Sequence, residues 1–300
     1  MSAGSDAVNP AGGIVARVPA TALVLTAIIS SQFGASIART QFEVVGPLGA
    51  TFLRLLFGSL ILLVVLRPRV RQWTRRSWLA ASLLGFALVG MNTAIYLALG
   101  SIALGVAVTI EFMGPLVLSL VQARRVIDAF WAVLAFAGVV LLGLGAGGSI
   151  AVIGLVFAAL AGLFWAGYIL ASARVGRLIP GTDGLAVAMS IAAVLSAPLG
   201  VSGALGAIAH PQVLLVFLCV ALLSSALPYA LEMEALRRLP TRVFGVLSSL
   251  GPAMAALAGL VVLREALGWR EIVALVLVTV ASVGITVAGG RKRPPVIDGV

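Results

Sequence analysis

Two ionisable residues stand inside apolar runs where an unpaired charge is expensive, and they carry most of the chemistry this sequence can do. Glu111 lies about nine residues into the run 102–121, roughly 14 Å deep at 1.5 Å per residue and close to the centre of a bilayer. Carboxylates at that depth are rare. Such a group can carry a proton, face a substrate ammonium, or pair with a cation of the protein itself. Arg54, inside the run 46–66, is the available cation. A guanidinium at a helix centre costs about 2.5–3.5 kcal/mol unless compensated, so Arg54 reads as structural glue or as an anchor for a substrate carboxylate.

Two prolines add to this pair. Pro115 follows Gly114, and Pro252 follows Gly251. Each proline removes a helical hydrogen bond and frees the carbonyl four residues earlier, at Glu111 and Ser248. The functional reading is two helices kinked at equivalent places, with loosened backbone meeting a substrate near the midplane. The alternative is an ordinary kink satisfied by neighbouring helices. Gln32, Asn92, Tyr96, Trp165, Tyr168, Ser225 and Tyr229 also lie within apolar runs and include all three tyrosines of the chain. Tyrosine normally marks the membrane interface, so interior placement fits a partly wet cavity wall. Helix-to-helix hydrogen bonding competes with that reading. Glu232 and Glu234 precede Arg237, Arg238 and Arg242, which suits either a salt-bridged rim or a gate that exchanges arginine partners. Arg264, Glu265, Arg270 and Glu271 form the counterpart at the opposite face.

The elements that must hold these residues are ten apolar stretches, each about long enough to cross a bilayer as a helix. They cover 18–38, 46–66, 78–98, 102–121, 128–146, 150–172, 184–204, 212–232, 243–263 and 270–289. Their connectors alternate in charge. One set holds Arg67, Arg69, Arg71, Arg75, Arg76, Arg124, Arg125, Arg174, Arg177, Arg237, Arg238 and Arg242, and the tails add Arg17, Arg291, Lys292 and Arg293. The other set holds only Arg39, Arg264 and Arg270. The positive-inside rule therefore predicts both termini in the cytoplasm. No ten-residue alternation suggests a barrel, and backbone groups in hydrocarbon must be satisfied internally, so the expected fold is an all-α membrane protein. The expected organisation is a disordered tail over 1–17, a five-helix repeat over 18–146, a second over 150–289 and a tail over 290–300.

Composition agrees. At 61% hydrophobic and 10% charged, with mean hydropathy +1.18, the polar surface could not cover a soluble core. The net charge of +10 lines one membrane face, where it sets topology and meets anionic lipid, rather than binding nucleic acid. The single cysteine, Cys219, excludes an intrachain disulfide. The first apolar stretch reads as an uncleaved helix rather than a secretion signal, because nine more follow. Gly143 to Gly148 formally fits G-x-G-x-x-G, yet it follows a membrane helix where a nucleotide site needs a strand, and it reads as a short external turn. H-E-x-x-H, G-x-S-x-G and P-loop patterns are missing, and the only histidine, His210, stands in a connector. No metal, cofactor or enzymatic activity is expected.

Ala98 to Pro115 aligns without a gap on Ala235 to Pro252, and both segments end in Gly-Pro. Five spans is an odd number, so two such units in one chain must lie in opposite orientations. Several passages then resemble the drug/metabolite transporter superfamily of EamA type, and within it the bacterial threonine and homoserine exporters. They are GPLGATFLRLLFGSLIL from Gly46, GMNTAIYLAL from Gly90, GVAVTIEFMGPL from Gly105, AGLFWAGYILAS from Ala161, and SSALPYALEMEALRRLPTRVFGVLSSLGPA from Ser224. The resemblance runs from about Ser30 to Gly289. It implies ten helices in two inverted five-helix repeats, cytoplasmic ends, a central cavity, and proton-driven export across the inner membrane. By position it carries over to Asn92, the run Glu111 to Pro115, the run Leu227 to Met233, the run Leu239 to Arg242, and Glu265. One departure is Gly251, where relatives often place a glutamate.

The resulting expectation is an inner-membrane secondary transporter exporting small, threonine- or homoserine-like amino acids or related metabolites, by alternating access. Efflux of drug-like, aromatic or cationic compounds is the alternative, favoured by the interior tyrosines and Trp165. A non-transporting membrane partner is disfavoured, because short connectors offer little docking surface. Partners reduce to a small-molecule substrate and membrane lipid, with monomer and homodimer both open.

Overall fold

The computed structural model describes residues 18–121, 126–145, 149–179, 182–239 and 247–289. Among them there are helices and turns and no strand. The helices are α1 (Ala20–Arg39), α2 (Phe42–Leu66), α3 (Arg75–Leu99), α4 (Leu104–Glu111), α5 (Met113–Val121) and α6 (Val126–Gly145). They continue as α7 (Ser149–Leu178), α8 (Asp183–Ala204), α9 (Pro211–Ala221), α10 (Leu227–Arg238), α11 (Gly251–Ala258) and α12 (Trp269–Gly289). Among the described residues, six helical segments are long and apolar enough to cross a membrane, and Leu104–Leu118 and Gly251–Leu263 are shorter apolar helices. The tails 1–17 and 290–300, the connector containing Arg124 and Arg125, the end of the Gly143–Gly148 turn, and Arg242 lie outside the described residues.

Local chemistry sets the ends. Thr74 caps α3, its hydroxyl accepting the Ser77 N–H at 3.2 Å. Pro211 opens α9, where its missing N–H costs nothing. Gly46, with φ 65°, kinks α2 after its first turn, just ahead of Pro47, in a conformation that an L side chain rarely adopts. Pro198 lies inside α8 without ending it. The helix α7 runs six residues past the expected boundary at 172, so that Arg174 and Arg177 ride on its last turns.

The largest packing interfaces join early helices to late ones. Helix α3 lies against α7 and α8, α2 against α8 and α9, and α1 against α10 and α11. Helix α4 lies against α7 and α11, and α6 against α12. Tyr96, Leu99, Leu104 and Phe217 lie in one buried core, and Leu55, Leu84, Leu88 and Met189 in another. Where α2 meets α8 the backbones touch. A Cβ on Gly200 would lie 2.5 Å from the Leu48 carbonyl oxygen, and one on Gly206 2.6 Å from that of Val44, with Gly203 equally tight against Val45. Small residues permit this close approach, as in membrane helix pairs generally. The outer surface is apolar: Val64, Val65, Leu163, Val194 and Phe136 are all more than 60% exposed, which suits lipid contact and not water.

Candidate functional site

The site is built on a defect in a helix. Between α9 and α10 the chain makes a π-helical turn over Leu222–Ala226, in which the Leu227 N–H bonds back to the Leu222 carbonyl. The next residue is Pro228, which has no N–H to give. The missing N–H of Pro228 is the one that would reach Leu223 O in a π register and Ser224 O in an α register. Both carbonyls are met from neighbouring helices. The Ser30 hydroxyl of α1 donates to Leu223 O at 2.7 Å, and the Arg54 Nη2 of α2 donates to Ser224 O at 2.8 Å. Single π-turns inside α-helices are rare and concentrate at functional sites.

Arg54 is buried, 8% exposed, and its other donors are also directed: Nε to Ser225 Oγ at 3.3 Å and Nη1 to the Tyr96 hydroxyl at 3.4 Å. Its Cζ stands 5.5 Å from the Tyr96 ring centroid, and Phe42 packs on the other part of that ring at 5.7 Å. The guanidinium thus has several neutral acceptors and an aromatic face, a compensation that makes a cation tolerable at this depth. Tyr96, Tyr229 and Glu111 all lie within electrostatic reach of it.

Glu111 ends α4, and Met113 begins α5, so the helix is interrupted at Phe112, three residues ahead of Pro115. The carboxylate is 9% exposed and makes no hydrogen bond or ion pair with any described residue. It feels the charge of Arg54 without contacting it. Tyr229 lies in reach of Arg54, Glu111, Glu232 and Tyr96, and Tyr168 in reach of Tyr229 and Glu232. One arginine, two carboxylates and three tyrosines, drawn from α2, α3, α4, α7 and α10, therefore form one cluster. Glu232, which charge context places with the rim, belongs electrostatically to this interior group, three residues and nearly one helical turn beyond Tyr229.

Close backbone contacts fix the walls. A Cβ on Gly114 would overlap the Gly162 carbonyl of α7, so the Gly-Pro pair admits a helix crossing that no other residue allows. In the second Gly-Pro pair, Gly251 begins α11 after a turn at Ser249–Leu250, and a Cβ there would enter the Phe112 ring. Pro252 consequently sits in a first helical turn, where it costs no hydrogen bond. Phe112 meets Trp165 edge-to-face at 4.6 Å. Asn92 is fully buried and donates Nδ2 to Leu88 O of its own helix at 2.8 Å. Gln32 is half-buried on α1 with no side-chain hydrogen bond to a described residue.

Two charged clasps lie outside the cluster. Glu234 pairs with Arg238, whose Nε donates at 2.8 Å and whose Nη1 reaches Val18 O at 3.3 Å. On the other side Glu265 pairs with Arg39, and its Oε2 accepts the Leu104 N–H at 2.9 Å. Glu265 thus joins α1 to the N-terminus of α4, the helix that carries Glu111 at its far end. Among the described residues no group of three or more His, Cys, Asp or Glu side chains could hold a metal ion.

Polar groups gathered inside an apolar helical bundle describe a membrane transporter, and known proteins agree. The model of the EamA-like transporter family matches residues 152–287. The chain is 42% identical over 273 residues to the threonine/homoserine exporter RhtA of Salmonella typhimurium, covering 90% of this chain and 92% of that protein. It is 42% identical over 266 residues to RhtA of Escherichia coli K12, covering 88% and 90%. A protein of known crystal structure superposes with a TM-score of 0.63 at 21% identity, over 91% of this chain and 99% of the other, a likeness of fold. The chain belongs to the EamA-like transporter family. It is a transporter and not an enzyme, and a multi-pass protein of the bacterial inner membrane.

Sequence reasoning located Arg54, Glu111, Ser225 and the tyrosines; it took in Phe112 and Pro228 only as members of the runs Glu111 to Pro115 and Leu227 to Met233, with no role of their own, and singled out neither Ser30 nor Ser224. The signal for two of these was present: the proline argument used at Pro115 and Pro252 applies equally at Pro228 and points to the Ser224 carbonyl.

Proposed function

We propose that this protein exports small zwitterionic amino acids such as threonine and homoserine, with a proton moving inward as the substrate leaves. The observation that carries the reading is the presence, within one membrane-embedded cluster, of a guanidinium and a carboxylate that sense each other yet do not pair. A zwitterion offers one charge to each. Its ammonium faces Glu111, and its carboxylate takes Arg54 from the neutral acceptors Ser224 O, Ser225 and Tyr96. The relatives named above export threonine and homoserine by name. When the substrate is absent, Glu111 can hold the proton instead. Entry of one proton down 100 mV supplies about 2.3 kcal/mol, enough for roughly a fifty-fold gradient.

In this reading ten membrane-spanning helices form two inverted repeats, 18–146 and 150–289, with both termini cytoplasmic. The packing pattern supports it. Exchange of the halves sends α3–α7 to the pair formed by the α9–α10 span and α1. It likewise sends α4–α7 to α11–α1 and α3–α8 to α9–α2, and it returns α2–α8, α6–α12 and α4–α11 to themselves. Alternating access then follows from rocking one unit against the other, with the Glu265–Arg39 and Glu234–Arg238 clasps on opposite faces as gates.

The test is uptake of labelled threonine and homoserine into inverted membrane vesicles with and without an imposed pH gradient. Gradient-dependent accumulation is expected. If no amino acid accumulates while a cationic or aromatic compound does, the zwitterion assignment fails and the Phe112–Trp165 pair becomes the recognition element.

A further inference from the structure

We propose that a groove between the end of α2, the start of α3 and the outer face of α8 binds an anionic phospholipid, its phosphate on Arg67 and its acyl chain along α8. The groove encloses about 700 Å³. Its walls include Leu63, Trp78, Val187, Ile191 and Leu195, and Arg67 closes one end. From Val187 to Leu195 the groove follows α8 for roughly 12 Å at 1.5 Å per residue, close to the thickness of half a hydrocarbon core, about 15 Å. An apolar trough of that length, ending in a cation, fits an amphiphile with a negative head.

The charge around the mouth has no answer within the described protein. Arg67, Arg69, Arg71, Arg75 and Arg76 are exposed, and none makes an ion pair with a described residue. The neighbouring carboxylate, Asp183, turns its Oδ2 to the Arg69 backbone N–H at 2.9 Å. Arg67 itself caps α2 in the left-handed region, φ 46° and ψ 61°, where glycine is the comfortable residue. The Arg67 side chain has no ion-pair partner among the described residues, and a lipid phosphate is the bidentate acceptor a guanidinium fits best. Trp78, 43% exposed at the same level, is the aromatic expected at a headgroup boundary.

The site lies away from the Arg54–Glu111 cluster, and its failure would leave the transport reading untouched. The experiment is native mass spectrometry of the purified full chain titrated with dioleoyl phosphatidylglycerol, and with dioleoyl phosphatidylcholine as the neutral counterpart. Phosphatidylglycerol is expected to remain bound preferentially. Arg67→Gln should lower that retention about fivefold, the effect of one arginine at an anionic surface, and Ile191→Trp should lower it by filling the trough. Arg71→Gln, in the same connector but outside the groove, should change it little. Equal loss from Arg67→Gln and Arg71→Gln would mean diffuse attraction and overturn the site, as would equal retention of the two lipids. If Ile191→Trp does not fold, Arg67→Lys serves as the second variant. It keeps the charge and loses the fork, so intermediate retention supports the site and unchanged retention refutes phosphate chelation.

Discussion

Replacing Pro228 with alanine should repair part of the damage done by removing Arg54. The Ser224 carbonyl is buried, lacks its α-register donor because Pro228 has no N–H, and takes Arg54 Nη2 at 2.8 Å. In Arg54→Met that carbonyl is stranded, at a cost of about 1–3 kcal/mol for an unsatisfied buried polar group. Interhelical hydrogen bonds in membranes average nearer 0.6 and reach about 1.7 kcal/mol, so the lower half of the range applies. The Pro228→Ala substitution brings back an N–H that can reach Ser224 O in an α-register. The cost of Arg54→Met should then fall by about 1–2 kcal/mol in the Pro228→Ala background, some 5- to 30-fold in the unfolding equilibrium. Unfolding of the four proteins in mixed detergent micelles measures this as a double-mutant cycle. Additivity within about 0.5 kcal/mol would refute the claim that the proline leaves the carbonyl for the arginine.

Three further outcomes are expected. Glu111→Gln should fold normally, bind substrate more weakly because the ammonium loses its counter-charge, and lose gradient-driven accumulation in vesicles; retained pH-dependent export would remove the carboxylate from the proton path. Gly114→Ala should destabilise by about 1–3 kcal/mol, since its methyl meets the Gly162 carbonyl, whereas Gly167→Ala, with open space around it, should be neutral or stabilising in the same thermal assay. Glu265→Gln removes the ion pair to Arg39 and the charged acceptor on Leu104 N–H. In a Cys219→Ala background, a cysteine introduced by Ser101→Cys should then react several-fold faster with a membrane-impermeant maleimide, and an unchanged rate would mean that the clasp does not close that face.

The helices were legible because charge and hydropathy alternate so strongly: the run 78–98 is α3, Arg75–Leu99, and 184–204 is α8, Asp183–Ala204. What could not be read was how each proline would be accommodated. Pro198 passes through α8, Pro252 begins a helix, Pro115 follows a break by three residues, and Pro228 follows a π-turn, all from the same residue type. The difference lies in what the neighbouring helix offers the freed carbonyl, which is a tertiary fact. Glu232 illustrates the same limit. Adjacent arginines in sequence suggest a rim, while helical periodicity turns it toward Tyr229 and Tyr168. Arg54 and Glu111 attracted attention for the same reason, opposite charge inside apolar runs, and sequence could not decide that Ser224, Ser225 and Tyr96 would engage the arginine first.

The glycine seam between α2 and α8 joins residues such as Val45 and Gly203 that are far apart in the chain. A ribosome adding about 5–20 residues per second needs on the order of 10–30 s to make the stretch between them. For that time α2 resides in the bilayer with its narrow face uncovered and with Arg54 far from acceptors that are synthesised later still. Biogenesis, rather than the finished protein, is therefore where this chain is most exposed to membrane proteases. Substitutions along the seam should first show themselves as shortened survival of nascent chains, at expression levels where the mature transporter already present works normally.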